Sequence, residues 1–360
     1  MAKVTLICDV DPTQDGGLFE ELQALGRILK ELGHRVSIWT SPKAREAINV
    51  PSGIEVLSPF PSFKFFEPFR AFTFLSQQRA DIYHVVVNSV PSPSWRHSFT
   101  SLFPLLKSFS QPLLVSHFLS WKEPRPFGIR QLLHMADVVI TPTDSLGRLI
   151  SADAYSTAYQ KFSTLPLLAP HALPKPLPEA NGWDLRPFVY LPGQIEEWDL
   201  LEQSMEDLIH WLPPKPFTFV VNPSWRQHSQ VQWLKTKWTK ILKDKMNFYF
   251  PETLSLSQHR WFLENAEVVH LAGLGLHSYS LIRTFLEGQI LGSPLLLPSA
   301  FVKIHLKQME ELSFHRLAEH GPTRDLAEVR SKLKDQLRSL NLNPLTPDAG
   351  NLLNRIYSNH

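Results

Sequence analysis

Five sets of residues in this chain have types and spacings that can do chemistry. Gly16-Gly17 lies between a short apolar run, Lys3–Cys8, and a leucine stripe at positions 18, 22, 25, 29 and 32. That order reads strand, glycine pair, helix. A glycine pair there lets a ligand approach the backbone closely, and the helix N-terminus that follows favours negative charge. A plain turn is the other reading of the pair. His117 ends the apolar run Pro112–Ser116; an imidazole offers one donor and one acceptor when neutral. Gly193 follows the strand Phe188–Leu191 in a Pro-Gly loop. Glu287 follows Arg283 by four residues on a predicted helix, a spacing that suits an ion pair. His84 lies inside another apolar run, Ile82–Val87, where a structural role competes with a chemical one.

Repeated βα units must position these residues. Met1–Thr40 reads β-α-β with Gly33 as a left-handed helix cap, so a parallel sheet is expected. Short strands are predicted over Ile54–Leu57, Ile82–Val87, Pro112–Ser116 and Val138–Thr141, with helices over Phe99–Phe109 and Gly128–Met135 and a helix capped by Asp144 or Ser145. The Phe-rich stretch Pro59–Pro68 is expected to pack on its own domain, with a loop over a cleft or towards an apolar partner as the alternative. Six prolines crowd Leu165–Pro187 and predict an extended linker. The pattern then restarts, with strands over Phe188–Leu191, Phe217–Val221, Phe248–Phe250, Val268–Leu271 and Ser293–Pro298, and helices over Leu200–Trp211, Val231–Lys243, Gln258–Asn265 and Ser280–Leu291. Helices over Leu326–Leu340 and Ala349–Ile356 are predicted to complete the chain. The expected class is α/β: two Rossmann-like βα-repeat domains facing a cleft. Their boundaries are 1–165, a linker over 166–187, 188–340, and a C-terminal helix over 341–360 that returns to the N-terminal domain.

Composition narrows the function classes. The 360 residues are 43% hydrophobic and 19% charged, enough for two domains with real cores. A net charge of +2 gives no field suited to nucleic acid. The single cysteine, Cys8, cannot form an internal disulfide and fits a reducing compartment. No signal-peptide pattern and no run of about 18 apolar residues is seen, so a cytoplasmic protein is expected. The lysines of Val231–Lys243 read as a solvated face, with anionic lipid as the minority reading. No Cys-x-x-Cys spacing or P-loop occurs, so neither a metal nor a bound cofactor is expected.

Together the segments DGGLFEELQALGRILKELGHRVSIWT, ADIYHVVVN, PLLVSHFLSW, ADVVITPTDSLGRLI, VYLPGQIEEWDLLEQSMEDL and YSLIRTFLEGQILGSPLLLPSA resemble the GT-B fold, and within it the family 4 retaining glycosyltransferases. The resemblance spans nearly the whole chain. It implies a metal-independent hexosyltransferase-type enzyme that moves a sugar from a nucleotide-diphosphate sugar to an acceptor hydroxyl with retention, in cell-envelope or glycolipid synthesis. The acceptor would be a glycan or lipid-linked, with work at the inner face of the membrane as an open expectation. It places Gly16 and Gly17 beside donor and acceptor, and His117 beside the transferred sugar. It gives nucleotide binding to Gly193, Gln194, Tyr279, Arg283 and Glu287, with Glu287 accepting from the ribose hydroxyls. Three positions depart from the pattern: Tyr279 stands at the first glutamate, Gln194 at the arginine and Trp198 near the lysine of the diphosphate clamp. Arg226 and Arg283 are the nearest substitutes for that lost charge. The alternative is a non-catalytic glycosyltransferase-like binding or scaffold protein, and a nucleotide-sugar epimerase is a third reading.

Overall fold

In the computed structural model the chain divides into two compact units, residues 1–172 with 344–360, and residues 173–343. The structure describes residues 1–8, 16–58, 77–88, 107, 111–121, 127–153, 161–165, 167–168, 187–193, 197–202, 217–226, 229–242, 246–252, 254–271, 273–275, 278–297, 331 and 346–358. The Phe-rich stretch, most of the proline linker, most of the helix expected over Leu200–Trp211, and all but one residue of each helix expected over Phe99–Phe109 and Leu326–Leu340 lie outside them.

The first unit is built on a seven-stranded parallel sheet. Its strands are β1 (Lys3–Ile7), β2 (Arg35–Trp39), β3 (Glu55–Leu57), β4 (Ile82–Val87), β5 (Leu113–Phe118), β6 (Val138–Thr141) and β7 (Phe162–Thr164), in the order β3-β2-β1-β4-β5-β6-β7. Every residue of β4 and β5 is buried, as central strands covered on both faces require. Helix α1 (Gly16–Glu31) buries Leu18, Leu22, Leu25 and Leu29 and stops at Gly33, whose φ of 84° only glycine adopts cheaply. A short helix α2 (Pro42–Ala47), not foreseen from the sequence, is capped by the Ser41 side chain and opened by a proline. Helices α3 (Phe127–Met135) and α4 (Asp144–Asp153) follow. The α4 cap is Thr143, whose hydroxyl accepts from Leu146 N at 3.2 Å, rather than Asp144 or Ser145. Two Ala-Asp steps before strands share one job. Asp81 accepts from Lys3 N at 2.7 Å and Asp137 from Leu114 N at 2.8 Å, so each carboxylate takes up an amide at the start of the neighbouring strand.

The second unit repeats the plan with a five-stranded parallel sheet, β10-β9-β8-β11-β12. These strands are β8 (Phe188–Leu191), β9 (Phe217–Val221), β10 (Met246–Tyr249), β11 (Val268–His270) and β12 (Leu295–Leu296). Helix α5 (Ser229–Leu242) buries Val231, Leu234 and Trp238 on the sheet. Lys235 and Lys240 face solvent, and Lys237 pairs with Glu202. Helix α6 (Leu256–Asn265) starts with a Ser255/Gln258 capping box. Helix α7 (Tyr279–Leu291) presses against β12: a Cβ at Gly288 would lie 2.5–2.9 Å from three atoms of the Leu295 side chain. Gly288→Ala is therefore expected to destabilise this unit by about 1–2 kcal/mol despite alanine's better helix propensity. Equilibrium denaturation in urea measures the change.

The chain finishes in α8 (Thr346–Ser358), which belongs to the first unit and lies beside α1. Among the described residues no helix is long and apolar enough to cross a membrane.

Candidate functional site

The first unit sets two buried histidines on one face of its sheet. In the β4–β5 register His84 opposes Val115 and Val86 opposes His117. Side chains alternate along a strand, so both imidazoles fall on one face, one diagonal apart. Their rings meet at 5.5 Å between centroids, tilted by 56°. That face is the one covered by α1 and α8. Leu6 of β1, on the same rung as His84, packs near Gly26 of α1, and Tyr357 of α8 meets His84 Nδ1 at 2.6 Å.

His117 is fully buried, and among the described residues neither ring nitrogen has a hydrogen-bond partner. Burial pushes its pKa down from 6.5 to about 3, so the ring stays neutral. His84 is lowered well below 6.5, first by burial and then by His117. Three unpartnered imidazole nitrogens, Nε2 of His84 and both of His117, are an expensive way to fill a core. Next to them, at the C-terminal ends of β4 and β5, Ser120 donates to Asn88 Oδ1 at 2.6 Å and ties the two exits together. Gly16 and Gly17 are the first two residues of α1 itself, not a loop ahead of it. Their backbone thus belongs to a helix N-terminus; the polar residues 9–15 before them lie outside the described residues.

The second unit holds a buried charged network. Arg283 Nε donates to Glu287 Oε1 at 2.6 Å, one turn away on α7. His259 Nε2 of α6 meets Glu287 Oε2 at 2.8 Å, and Tyr190 of β8 meets His259 Nδ1 at 2.7 Å. Arg283 Nη1 approaches the Tyr279 hydroxyl at 3.5 Å, with the guanidinium 6.0 Å from that ring's centroid. Burial alone would raise the Glu287 carboxyl. The charges and hydrogen bonds of Arg283 and His259 overcome it and hold the group near 2. Burial, then Glu287, pushes the Tyr190 phenol well above 10. An ionised carboxylate only accepts, so Nε2–H of His259 donates to Glu287.

Among the predicted nucleotide residues, α7 therefore brings Tyr279, Arg283 and Glu287 together. Gly193 lies at the end of β8 with φ 73°, and its carbonyl accepts from Trp225 Nε1 at 2.7 Å. A Cβ there would come 2.8 Å from Leu274. Gln194 lies outside the described residues. Trp198 packs its ring against the core, 6.1 Å from Trp225. Arg226 is exposed and donates to the carbonyl of Phe250 at 2.7 Å. Among the described residues no group of three or more His, Cys, Asp or Glu side chains gathers as a metal site.

No protein-family model matches the chain, and no curated protein matches it. Solved structures do. A glycosyltransferase from Rickettsia africae superposes with a TM-score of 0.63 at 14% identity, covering 99% of this chain and 98% of that one. A protein described as a putative UDP-N-acetylglucosamine 2-epimerase from Listeria monocytogenes gives 0.60 at 13% identity, over 99% and 97%. The Anabaena protein HepE, solved with UDP-glucose, gives 0.58 at 12% identity, over 95% and 98%. The fold is GT-B.

GT-B topology accounts for both sheets and for α8 ending in the first unit. It leaves three partners in these networks that the sequence reading passed over: Tyr190, His259 and Tyr357. Tyr190 sits in a run that reads as plain strand, and His259 in a helix read only for its apolar face. Tyr357 is 273 residues from the histidine it bonds. No local signal marks any of them.

Proposed function

We propose that this chain is a glycosyltransferase that moves a sugar from a nucleotide-diphosphate donor to an acceptor hydroxyl with retention. The acceptor in this proposal is a cell-envelope glycan or a lipid-linked carrier. The observation that carries the reading is His117. Its ring is neutral, buried and unpartnered on both nitrogens, in the C-terminal half of a central parallel strand, the end where α/β sheets place ligands. A neutral imidazole can hydrogen-bond a sugar hydroxyl as donor or acceptor, whereas an imidazolium could only donate. The fold neighbours support the donor class, since several were solved with UDP or a UDP-sugar.

In this mechanism His117 hydrogen-bonds the transferred sugar, the backbone at Gly16 and Gly17 faces donor and acceptor, and Gly193 and α7 hold the nucleotide. The bond between the anomeric carbon and the diphosphate oxygen breaks, and a bond from that carbon to the acceptor oxygen forms on the same face. The acceptor's proton goes to the departing phosphate. The protein's work is positioning and charge stabilisation. Arg283 supplies positive charge in the unit where Trp198 stands in place of a lysine, and Glu287 holds the guanidinium in its orientation.

One observation favours a second reading, a non-catalytic binding protein. Both oxygens of Glu287 are taken up by protein donors, and the carboxylate is fully buried, so the ribose-binding role of that position is already occupied. The epimerase reading gains less. The two fully buried glutamates among the described residues, Glu21 and Glu287, lie in different units and are each bound by protein groups.

Calorimetric titration with UDP, ADP and GDP, followed by an assay of UDP-glucose turnover, separates the readings. Binding of one nucleotide together with slow donor hydrolysis is the result the enzyme expects. No heat at millimolar nucleotide would overturn it in favour of a non-catalytic scaffold.

A further inference from the structure

The buried pair of histidines in the first unit is not isolated. Tyr357, near the end of α8, reaches the sheet face from above. Its hydroxyl lies 2.6 Å from His84 Nδ1, and its ring makes edge contacts with His84 at 6.2 Å and with His34 at 5.5 Å. His84 in turn lies against His117. We infer that Tyr357 is a positioning residue for His117, acting through His84. This rests on the functional reading of His117 given above.

Proton placement carries the argument. Tyr357 is buried, which raises its phenol far above 10 and keeps the O–H intact. His84 is held neutral by burial and by its histidine neighbour. Two arrangements of the 2.6 Å bond exist. If His84 Nδ1–H donated to the phenol oxygen, the Tyr357 proton would need an acceptor elsewhere and Nε2 would be left a bare acceptor. If Tyr357 O–H donates to Nδ1, a single group, Nε2–H, is left without a partner. The second arrangement leaves fewer buried polar groups unmet and is the stable one. It locks the imidazole in one tautomer and blocks the half-turn that would exchange its nitrogens. Among the described residues the Tyr357 hydroxyl is the one hydrogen-bond partner of the His84 ring, whose other nitrogen is unpartnered. His117 has no hydrogen bond of its own among the described residues, and the His84 ring packs against it at 5.5 Å, so a turn of His84 changes what His117 rests on. The segment that supplies this lock is the last helix of the chain, which returns to the first unit after the whole of the second.

The test uses the full chain with histidine labelled with nitrogen-15. His84→Asn and His117→Ala identify the two residues in long-range proton–nitrogen spectra, and Asn351→Ala, on the exposed face of α8, is the control. In the wild type His84 is expected to show one tautomer, with Nδ1 as acceptor. Tyr357→Phe keeps the ring and removes only the hydroxyl; it is expected to mix the His84 tautomers and move the His117 resonances. With UDP-glucose as probe, kcat for hydrolysis is expected to fall about tenfold while KM stays within about twofold. His84→Asn, which keeps an acceptor for the tyrosine proton, is expected to retain more turnover than His84→Leu. Unmoved His117 resonances in folded Tyr357→Phe would overturn the inference, whatever the donor. Should His117→Ala leave hydrolysis intact while Tyr357→Phe still moves the His117 resonances, the coupling stands and the catalytic reading falls. Should His117→Ala abolish hydrolysis while Tyr357→Phe changes neither spectrum nor kcat, the coupling falls and the catalytic reading stands.

Discussion

His117→Leu is expected to make the protein more stable and inactive at once. Leucine has nearly the volume of the imidazole and no polar atoms. The native ring buries two nitrogens that no protein group satisfies, and each such nitrogen costs about 1–3 kcal/mol. Removing them should raise stability by about 1–3 kcal/mol, after allowance for imperfect repacking of the new side chain. For the first unit, residues 1–172 with 344–360, that is a melting temperature higher by about 3–10 °C. Turnover of a nucleotide sugar should fall at least about a hundredfold if the ring bonds substrate in the transition state. The two readouts must move in opposite directions for the functional reading to hold. A histidine kept for packing alone would cost stability when replaced and leave turnover unchanged.

The same variant has a pH signature. In the unfolded chain His117 takes a proton below about 6.5; in the folded protein it does so only near 3. Between those values the unfolded state binds more protons, so stability falls as pH falls, and the loss is complete below pH 3. At about 1.4 kcal/mol per pH unit the gap amounts to about 5 kcal/mol, and His84 is shifted in the same direction. His117→Leu lacks the His117 share, so its acid unfolding midpoint should move to lower pH.

What the sequence revealed depended on how local the signal was. The βα plan was legible because each strand and helix announces itself within about ten residues. The leucine stripe of α1 and the apolar runs of β4 and β5 mark their elements, as does Gly33. Strand ends were less clear: β7 is only Phe162–Thr164, too short to show alternation, and it passed unread. Thr143 was missed as the α4 cap because the acidic Asp144 beside it is as good a cap by type. His117, Arg283 and Glu287 were singled out by their match to the family pattern along the chain. Their surroundings were not, because those come from packing between distant segments. His259 reaches Glu287 across 28 residues and Tyr190 reaches His259 across 69, and nothing in either local stretch encodes the pairing. The reading of Glu287 shows the consequence. Its i, i+4 spacing from Arg283 was visible, and the second donor that completes its coordination was not.

That completed coordination makes Glu287→Ala the largest single loss expected in the second unit. The carboxylate is fully buried and holds Arg283 on one oxygen and His259 on the other. Alanine would leave a guanidinium that is only 7% exposed without its counter-charge. Stranding one member of a buried pair costs about 3–5 kcal/mol. Glu287→Gln keeps the shape and one acceptor oxygen, so it should cost less than the alanine. If the cost comes from the stranded cation, removing the cation as well should recover part of it: Arg283→Met with Glu287→Ala should be less destabilised than Glu287→Ala alone. Equal destabilisation of the single and double variants in urea would place the cost in lost packing instead. Acid should reproduce the alanine effect in the native chain. The folded carboxyl titrates near 2 and the unfolded one near 4.5. Its contribution is therefore fully present above pH 4.5 and drains away as pH falls towards 2, by about 3 kcal/mol. The His117 and His84 shifts act below pH 6.5 and the Glu287 shift only below 4.5, so the central strands of the first unit should open before α7 on acidification. Hydrogen-exchange mass spectrometry read on β4–β5 peptides and on α7 peptides would resolve the sequence. Opening of α7 at or above the pH at which the central strands of the first unit open would contradict the assignment of the buried ion pair as the second unit's acid-sensitive element.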